Sequence, residues 1–115
     1  MTLSIEALGE VDHVVGQWCL KQVPAPMKNK VDYDYEVDGQ SVVIFEVRPA
    51  WDGAPGEITR RPIVKFRYFK VRQYWQIYWR RASGNWELYE PSPTVCNLEG
   101  ALKVVNGDHY GCFFG

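Results

Sequence analysis

The sequence predicts an α+β domain with an N-terminal helix, a five-stranded, mainly antiparallel meander sheet and a short C-terminal helix. Residues 31–91 consist of five strand-like segments in succession, and three of the joins between them are very short. Apolar residues recur at helical spacing before and after this region, so we expect both helices to pack on one face of the sheet. The 115 residues match the usual size of one domain, and we treat 1–115 as a single unit.

The composition argues against several classes of protein. Hydrophobic residues make up 46% of the chain and charged residues 23%, as in ordinary globular domains. The 13 basic and 14 acidic residues nearly balance, so the net charge indicates neither a nucleic-acid nor a membrane partner. The sequence contains neither an apolar run long enough to cross a bilayer nor the pattern of a signal peptide. Three scattered cysteines fit a reducing compartment, and we therefore expect a cytoplasmic location.

An amphipathic helix is predicted from residue 4 to about residue 22. Ser4 is a suitable N-cap, because its hydroxyl can accept a backbone N–H of the first turn, and the proline-rich segment that follows ends the helix. At 100° per residue the apolar side consists of Ile5, Leu8, Val11, Val15, Trp18 and Cys19. Gly9 and Gly16 lie on one flank of that side, which predicts close contact with the sheet.

The first two strands form a predicted hairpin. Residues 31–37 alternate apolar and acidic side chains, as in a half-buried strand. Asp38-Gly39 follows at once and favours a two-residue type I′ turn. The second strand, residues 40–47, is apolar on both sides and is predicted to be central. The longest loop then covers residues 51–61.

Three further strands are predicted after the loop. Residues 63–71 and 74–81 form strands three and four, joined by a tight turn at Arg72-Gln73. A second tight turn at Ser83-Gly84 leads to strand five at residues 86–90.

A short helix and an apolar tail complete the chain. Asn97 is a good N-cap, and Asn106-Gly107 favours a helix end. The apolar positions between them follow i, i+3, i+4, i+7 spacing: Leu98, Ala101, Leu102 and Val105. Because residues 108–115 include Tyr110, Cys112, Phe113 and Phe114, we expect the tail to dock on the core, with several kcal/mol of favourable burial (about 1.5–3 kcal/mol per large side chain).

Two-residue turns determine the predicted register and therefore the faces of the sheet. They pair Phe66 with Trp79, Tyr68 with Ile77, Trp79 with Leu88, and Arg81 with Trp86. The face predicted beneath the helices carries Val64, Phe66, Tyr68, Trp75, Ile77, Trp79, Trp86 and Leu88. The opposite face carries Lys65, Arg67, Phe69, Gln76, Tyr78, Arg80, Glu87 and Tyr89. The first hairpin divides into an apolar side of Tyr33, Tyr35, Val37, Val42 and Ile44, and a second side of Asp32, Asp34, Glu36, Val43 and Phe45.

Several blocks of the sequence resemble one known family. They are VDYDYEVDGQSVVIFEVRP (31–49), KFRYFK (65–70), WQIYWRR (75–81), Trp86 with YEP (89–91), and GCFFG (111–115). These blocks, spread over nearly the whole chain, resemble a family of small bacterial proteins catalogued as domain of unknown function 3024. The resemblance implies a small α+β domain in a bacterial cytoplasm. It implies no established activity, substrate or catalytic residue.

The solvent-side sheet face is the best candidate for function. Its mixture of cations and rings is typical of a surface that binds single-stranded nucleic acid: Lys65, Arg67, Phe69, Tyr78, Arg80 and Tyr89. The alternative is a solvated face stabilised by cross-strand pairs such as Arg80–Glu87 and Tyr78–Tyr89. Because the acidic side chains of the first hairpin would repel phosphate, a protein partner is favoured over nucleic acid. We therefore predict a non-enzymatic binding or accessory module, with single-stranded nucleic acid as the alternative partner.

Catalytic and metal chemistry have little support in the sequence. The long loop offers a second possible binding site with Trp51, Arg60 and Arg61, although a variable connection, with Trp51 packed against the sheet edge, explains those residues better. A remote alternative is a metal-dependent nuclease, suggested by Asp34 and the segment Glu46-Val-Arg48, but the register places the two carboxylates on opposite faces. His109, Cys112, His13 and Cys19 lack the spacing of a zinc site. We predict no catalytic residue, metal or cofactor.

Overall fold

The computed structural model describes residues 3–28, 30–49 and 56–114. Its first element, α1, spans residues 5–21 in three consecutive segments: α-helical Ile5–Glu10, π-helical Val11–Val15 and α-helical Gly16–Lys21. Ser4 caps it as predicted, since its hydroxyl accepts the backbone N–H of Ala7 at 3.1 Å. A short 3₁₀ turn, Ala25–Met27, follows.

The π-helical segment changes which side chains α1 buries. Val11, Val15 and Cys19 are buried as predicted, but Ile5 is 89% exposed. A π-helical turn bonds i to i+5 and takes up an extra residue, so residues before it are rotated away from the positions that a uniform 100° spacing gives. Close contact with the sheet was predicted for both glycines of α1, but at Gly9 it was wrong, because a Cβ there would have no neighbour within 4 Å. At Gly16 a Cβ would lie 3.5 Å from the Tyr35 hydroxyl, so this glycine does lie close to the sheet.

Six strands in the described residues form one antiparallel sheet. They are β1 Asp32–Asp38, β2 Ser41–Pro49, β3 Ile58–Phe69, β4 Tyr74–Arg80, β5 Trp86–Leu88 and β6 Thr94–Val95. The first five follow chain order, β1-β2-β3-β4-β5, so the meander is confirmed. The two-residue β6, which the sequence did not predict, pairs with β4 beyond the end of β5.

The first hairpin closes one residue later than predicted. Its two-residue turn is Gly39-Gln40 rather than Asp38-Gly39, so Val37 pairs with Val42 instead of Gln40, and Tyr35 with Ile44 instead of Val42. Gly39 takes a positive φ of 60°, and the shift of two positions leaves the side chains on their predicted faces. Between β2 and β3 the register shifts by one residue after Ile44, so that Ile63 has no partner on β2 and both Ile63 and Val64 are buried.

The predicted β3–β4 register was wrong by two residues. Phe66 pairs with Ile77 and Tyr68 with Trp75. The connection has four residues rather than two, and it ends at Gln73, whose φ is 56°. A shift of two positions leaves every side chain on its predicted face, since the side-chain period of a strand is two.

The predicted β4–β5 register was wrong by one residue, which has the opposite effect. Arg80 pairs with Trp86, and Tyr78 with Leu88. The turn contains three residues, 82–84, closed by the N–H of Arg81 donating to the carbonyl of Asn85 at 2.9 Å. Because a one-residue shift turns a strand over, every side chain of β5 lies on the face opposite to its predicted one.

The C-terminal helix α2, Leu98–Gly107, packs with α1 on the apolar face, which we call the helix face. Asn97 caps it by accepting the N–H of Gly100 at 2.8 Å, and the indole of Trp18 donates to Asn106 Oδ1 at 2.9 Å, which links the two helices. The buried core between helices and sheet includes Val11, Val15, Val42, Ile44, Phe66, Trp75, Ile77, Leu98, Ala101 and Val105. In the part of the chain that is described, no helix is long and apolar enough to cross a membrane.

The tail docks on the core as predicted, with one exception. Phe113 is fully buried against Tyr89, and Phe114 stacks near Trp18. Tyr110, in contrast, is 70% exposed.

Candidate binding face

The sheet face opposite the helices, which we call the open face, collects cations and rings from three neighbouring strands. Lys65 and Arg67 come from β3, Tyr78 and Arg80 from β4, and Trp86 from β5. Alternation along each strand turns these side chains away from the buried residues between them. Phe69, Tyr74, Gln76 and Leu88 complete this half of the face.

Each cation of this group lies over an aromatic ring. Lys65 Nζ is 5.0 Å from the ring centroid of Tyr78 and 5.4 Å from that of Trp86. The Arg80 guanidinium lies 5.7 Å from the Trp86 ring, and that of Arg67 lies 5.1 Å from Phe69. Such contacts are attractive, and they hold the charged groups against the sheet rather than extended into solvent. We call Lys65, Arg67, Phe69, Tyr78, Arg80 and Trp86 the basic patch.

The three cations of the basic patch form no ion pair with a carboxylate among the described residues. Burial lowers the pKa of Lys65, the neighbouring charge of Arg67 lowers it further, and the charge of Asp38 offsets part of this decrease. The patch therefore holds positive charge that an external anion would neutralise.

The other half of the open face is acidic, and part of its negative charge is neutralised by an arginine on the same face. Arg60 donates to Glu36 at 2.6 Å and to Asp34 at 3.3 Å, and its guanidinium lies 4.3 Å from the ring centroid of Phe45. The acidic side chains of β1 are thus partly neutralised by a cation of β3. Their repulsion of an anion bound on the basic patch is weaker than the sequence alone suggested.

Two residues of the predicted face lie elsewhere. Tyr89 is 3% exposed and packs in the core against Phe113, so the prediction that it belongs to the binding face was wrong. Glu87 pairs with Trp79 across β4–β5 and reaches Arg81 at 3.4 Å, so the proposed Arg80–Glu87 and Tyr78–Tyr89 pairs were also wrong. The physical cause is the three-residue turn before β5.

The same turn brings Trp86, which the sequence analysis assigned to the core, onto the open face. Gly84 takes a φ of 90°, as the last position of a three-residue hairpin loop requires. The sequence Ala82-Ser83-Gly84 could have predicted the three-residue loop, since a glycine in the third position is typical of such hairpins.

The possible loop site is not assembled in the described residues. Trp51 lies outside them. Arg60 lies on the open face, whereas Arg61 pairs with Glu46 on the helix face at 3.5 Å. Neighbouring residues on a strand point to opposite sides, so the two arginines do not act together.

The carboxylates of the remote nuclease alternative lie on opposite faces, as predicted. Asp34 is paired with Arg60 on the open face. Glu46 is 8% exposed on the helix face, where Arg48 donates to it at 2.8 Å. A metal ion between Asp34 and Glu46 would have to lie within the sheet.

The cysteines and histidines do not converge either. Among the described residues, no group of three or more His, Cys, Asp or Glu side chains is placed to hold a metal ion. Cys19 is buried, Cys112 is half-buried and Cys96 is exposed. Burial, followed by the charges of Asp34 and Asp32, raises the pKa of the Cys19 thiol to about 12, so this thiol is a poor nucleophile.

Comparison with known proteins assigns the chain to a family. Residues 4–115 match the family described as a domain of unknown function, DUF3024, and the chain belongs to that family. No curated protein and no solved structure matches the chain.

Proposed function

We propose that this protein is a non-enzymatic binding module and that the basic patch is its binding surface. The supporting observation is that three cations lie on an open sheet face without carboxylate partners among the described residues. Four arginines outside the patch, in contrast, are paired with acids: Arg48, Arg60, Arg61 and Arg81. A sheet with one open face also holds its side chains rigidly, which lowers the entropic cost of binding.

The partner that we favour is a protein with an acidic surface. Half-buried rings surrounded by cations resemble the centre of a protein interface, where Tyr, Trp and Arg are enriched. The other half of the open face is acidic, so the face carries positive charge at one end and negative charge at the other. A protein partner with the complementary pattern would bind in one orientation. We place this interaction in the bacterial cytoplasm, as the odd number of cysteines and the family resemblance suggest.

Single-stranded nucleic acid is the second candidate, favoured by a specific observation. The register that brings Trp86 onto the basic patch also removes Glu87 from it. The patch thus gains the ring that stacks best on bases and loses a charge that repels phosphate. Lys65 between Tyr78 and Trp86 is placed to contact a phosphate while the rings contact bases.

Affinity capture with matched variants tests the binding surface. The patch variant carries Lys65→Gln, Arg67→Gln and Arg80→Gln. The control variant removes the same charge at three exposed lysines elsewhere: Lys21, Lys30 and Lys103. A lysate partner should be retained by the wild type and the control but not by the patch variant, and retention should survive nuclease treatment if the partner is a protein. Equal loss in both variants would show that only net charge matters.

A fluorescent single-stranded oligonucleotide tests the second candidate. Affinity should fall steeply with salt because phosphate contacts release counterions. Tyr78→Ala should cost about 1–3 kcal/mol, and Arg67→Ala should reduce the salt slope by about one unit. Absence of binding at low salt would eliminate nucleic acid and leave the protein partner.

A broad hydrolase and nuclease screen with Mg²⁺, Mn²⁺ or Zn²⁺ tests the non-enzymatic assignment. We expect no turnover above background. Turnover that one carboxylate or histidine substitution abolishes would overturn the assignment.

A further inference from the structure

A cavity of about 600 Å³ lies on the helix face, at the end of the sheet where the C-terminal tail crosses it. Its floor is formed by Trp79 of β4 and by the bulged segment of β3 around Ile63. The β4–β5 turn and the tail segment from Tyr110 to Phe113 also line it. A volume of this size accommodates a small organic molecule.

The charged side chains that line this cavity are all basic among the described residues: Arg61, Arg80 and Arg81. Arg80 also lies over Trp86 of the basic patch, so Arg61 and Arg81 are the two guanidinium groups that belong to the cavity alone. We therefore call it the arginine cavity.

Both of these arginines are held loosely. Arg61 reaches Glu46 at 3.5 Å and Arg81 reaches Glu87 at 3.4 Å, and the side chains of both arginines are more than half exposed. The contact between Arg48 and Glu46, in contrast, is 2.8 Å. Guanidinium groups in weak single contacts retain donors for an anion, to which they can bond in a bidentate manner.

The cavity also presents rings to a ligand. Trp79 is half-buried, whereas Trp75 and Ile77 on the same face of β4 are buried. Tyr110 also lines the cavity and is 70% exposed. Cys112, whose pKa is raised chiefly by burial, contributes a neutral thiol to the wall.

We propose that the arginine cavity binds a small anion joined to a planar ring, with the chemistry of a nucleoside monophosphate. Arg61 and Arg81 bind the anionic group, and Trp79 and Tyr110 contact the ring. Arg80 borders both sites, but Arg61, Arg81, Trp79 and Tyr110 do not belong to the basic patch, so this inference goes beyond the proposed function.

Titration calorimetry with AMP, inorganic phosphate and adenosine tests this proposal. AMP should bind more tightly than phosphate, and adenosine should bind at least tenfold more weakly than AMP, because it lacks the anion. Arg61→Gln and Arg81→Gln should each weaken AMP binding about tenfold. Tyr78→Ala on the basic patch should leave AMP affinity unchanged, which separates this test from that of the proposed function.

Arg48→Gln is the matched control for Arg61→Gln. Both arginines pair with Glu46 and both substitutions remove one positive charge, but only Arg61 lines the cavity. An equal effect of the two substitutions, or no binding of AMP and phosphate to the wild type, would overturn the proposal.

Protection of Cys112 provides a readout on the folded wild-type protein. Bound AMP should slow the alkylation of Cys112, which lines the cavity, and leave Cys96 unaffected. If AMP binds without protecting Cys112, the ligand occupies another site and the proposal is wrong.

Discussion

The guanidinium of Arg80 lies 5.7 Å from the ring centroid of Trp86, its cross-strand partner on the open face. This contact follows from the three-residue β4–β5 turn, which places Trp86 on the open face. Trp75, by comparison, is 2% exposed in the core. The two tryptophans therefore belong to opposite faces, although their sequence environments are similar.

The two tryptophans should contribute very differently to stability. Trp75→Ala should lower the free energy of unfolding by about 3–5 kcal/mol because it leaves a cavity in the core. Trp86→Ala should lower it by about 1 kcal/mol or less, since the ring is half-buried and contributes chiefly cation–π contacts. Urea unfolding of both variants measures the difference. A loss at Trp86 as large as that at Trp75 would contradict the β4–β5 register.

Two glycines should respond to alanine in opposite directions. Gly84 has a φ of 90°, which strains any side chain, so Gly84→Ala should destabilise the fold by about 1 kcal/mol or more. Gly9 lies in an α-helical segment where a Cβ would point into open space, so Gly9→Ala should stabilise the fold by about 0.5–1 kcal/mol. The midpoints of thermal or urea unfolding measure both. If both substitutions change the midpoint in the same direction, one of these backbone assignments is wrong.

The features that the sequence predicted correctly depend on contacts between residues close together in the chain. Asn97 caps α2 and Ser4 caps α1 because each side chain reaches an N–H three residues ahead. A two-residue turn in the first hairpin was predicted from the same kind of local signal, although it lies at Gly39-Gln40, one residue later than the predicted Asp38-Gly39. Local chemistry was sufficient for these elements.

The features that were mispredicted depend on tertiary packing or on turn length. A one-residue difference in the β4–β5 turn moved Tyr89 into the core and Trp86 out of it. The π-helical segment of α1 and the bulge at Ile63 adjust the chain to the packed core, and periodicity contains no signal for either. The arginine cavity was not predicted because the tail meets the sheet only in the folded chain.

The side chain of Asp108 should be important for docking of the tail. Its two carboxylate oxygens accept the backbone N–H groups of Phe113 and Phe114, each at 3.0 Å. Asp108→Ala should lower the free energy of unfolding by about 1.5–3 kcal/mol, because hydrogen bonds to a charged group are lost. Asp108→Asn should cost less, since it keeps one acceptor and tolerates the left-handed backbone at this position. A loss in Asp108→Ala with none in Asp108→Asn would assign the effect to backbone strain rather than to the hydrogen bonds.

The three thiols should react in the order of their exposure. N-ethylmaleimide should modify exposed Cys96 first and half-buried Cys112 more slowly. Buried Cys19, whose pKa is raised to about 12, should react only as the protein opens, because the thiolate is the nucleophile. Timed mass spectrometry of the modified peptides gives the three rates. Modification of Cys19 as fast as that of Cys96 would contradict the packing of α1 on the sheet.

The buried thiol of Cys19 should also make stability fall at alkaline pH. Burial raises its pKa from 9.0 to about 12, so above pH 9 the unfolded chain loses a proton that the folded chain retains. The stabilisation is complete below pH 9 and decreases progressively up to about pH 12. Between pH 9 and 10.5 the free energy of unfolding should fall by about 1.5 kcal/mol more in the wild type than in Cys19→Ala. Urea unfolding under reducing conditions gives both slopes, with Cys96→Ala as a control that should keep the wild-type slope. Parallel pH profiles for the wild type and Cys19→Ala would show that Cys19 ionises as readily in the folded chain as in the unfolded one.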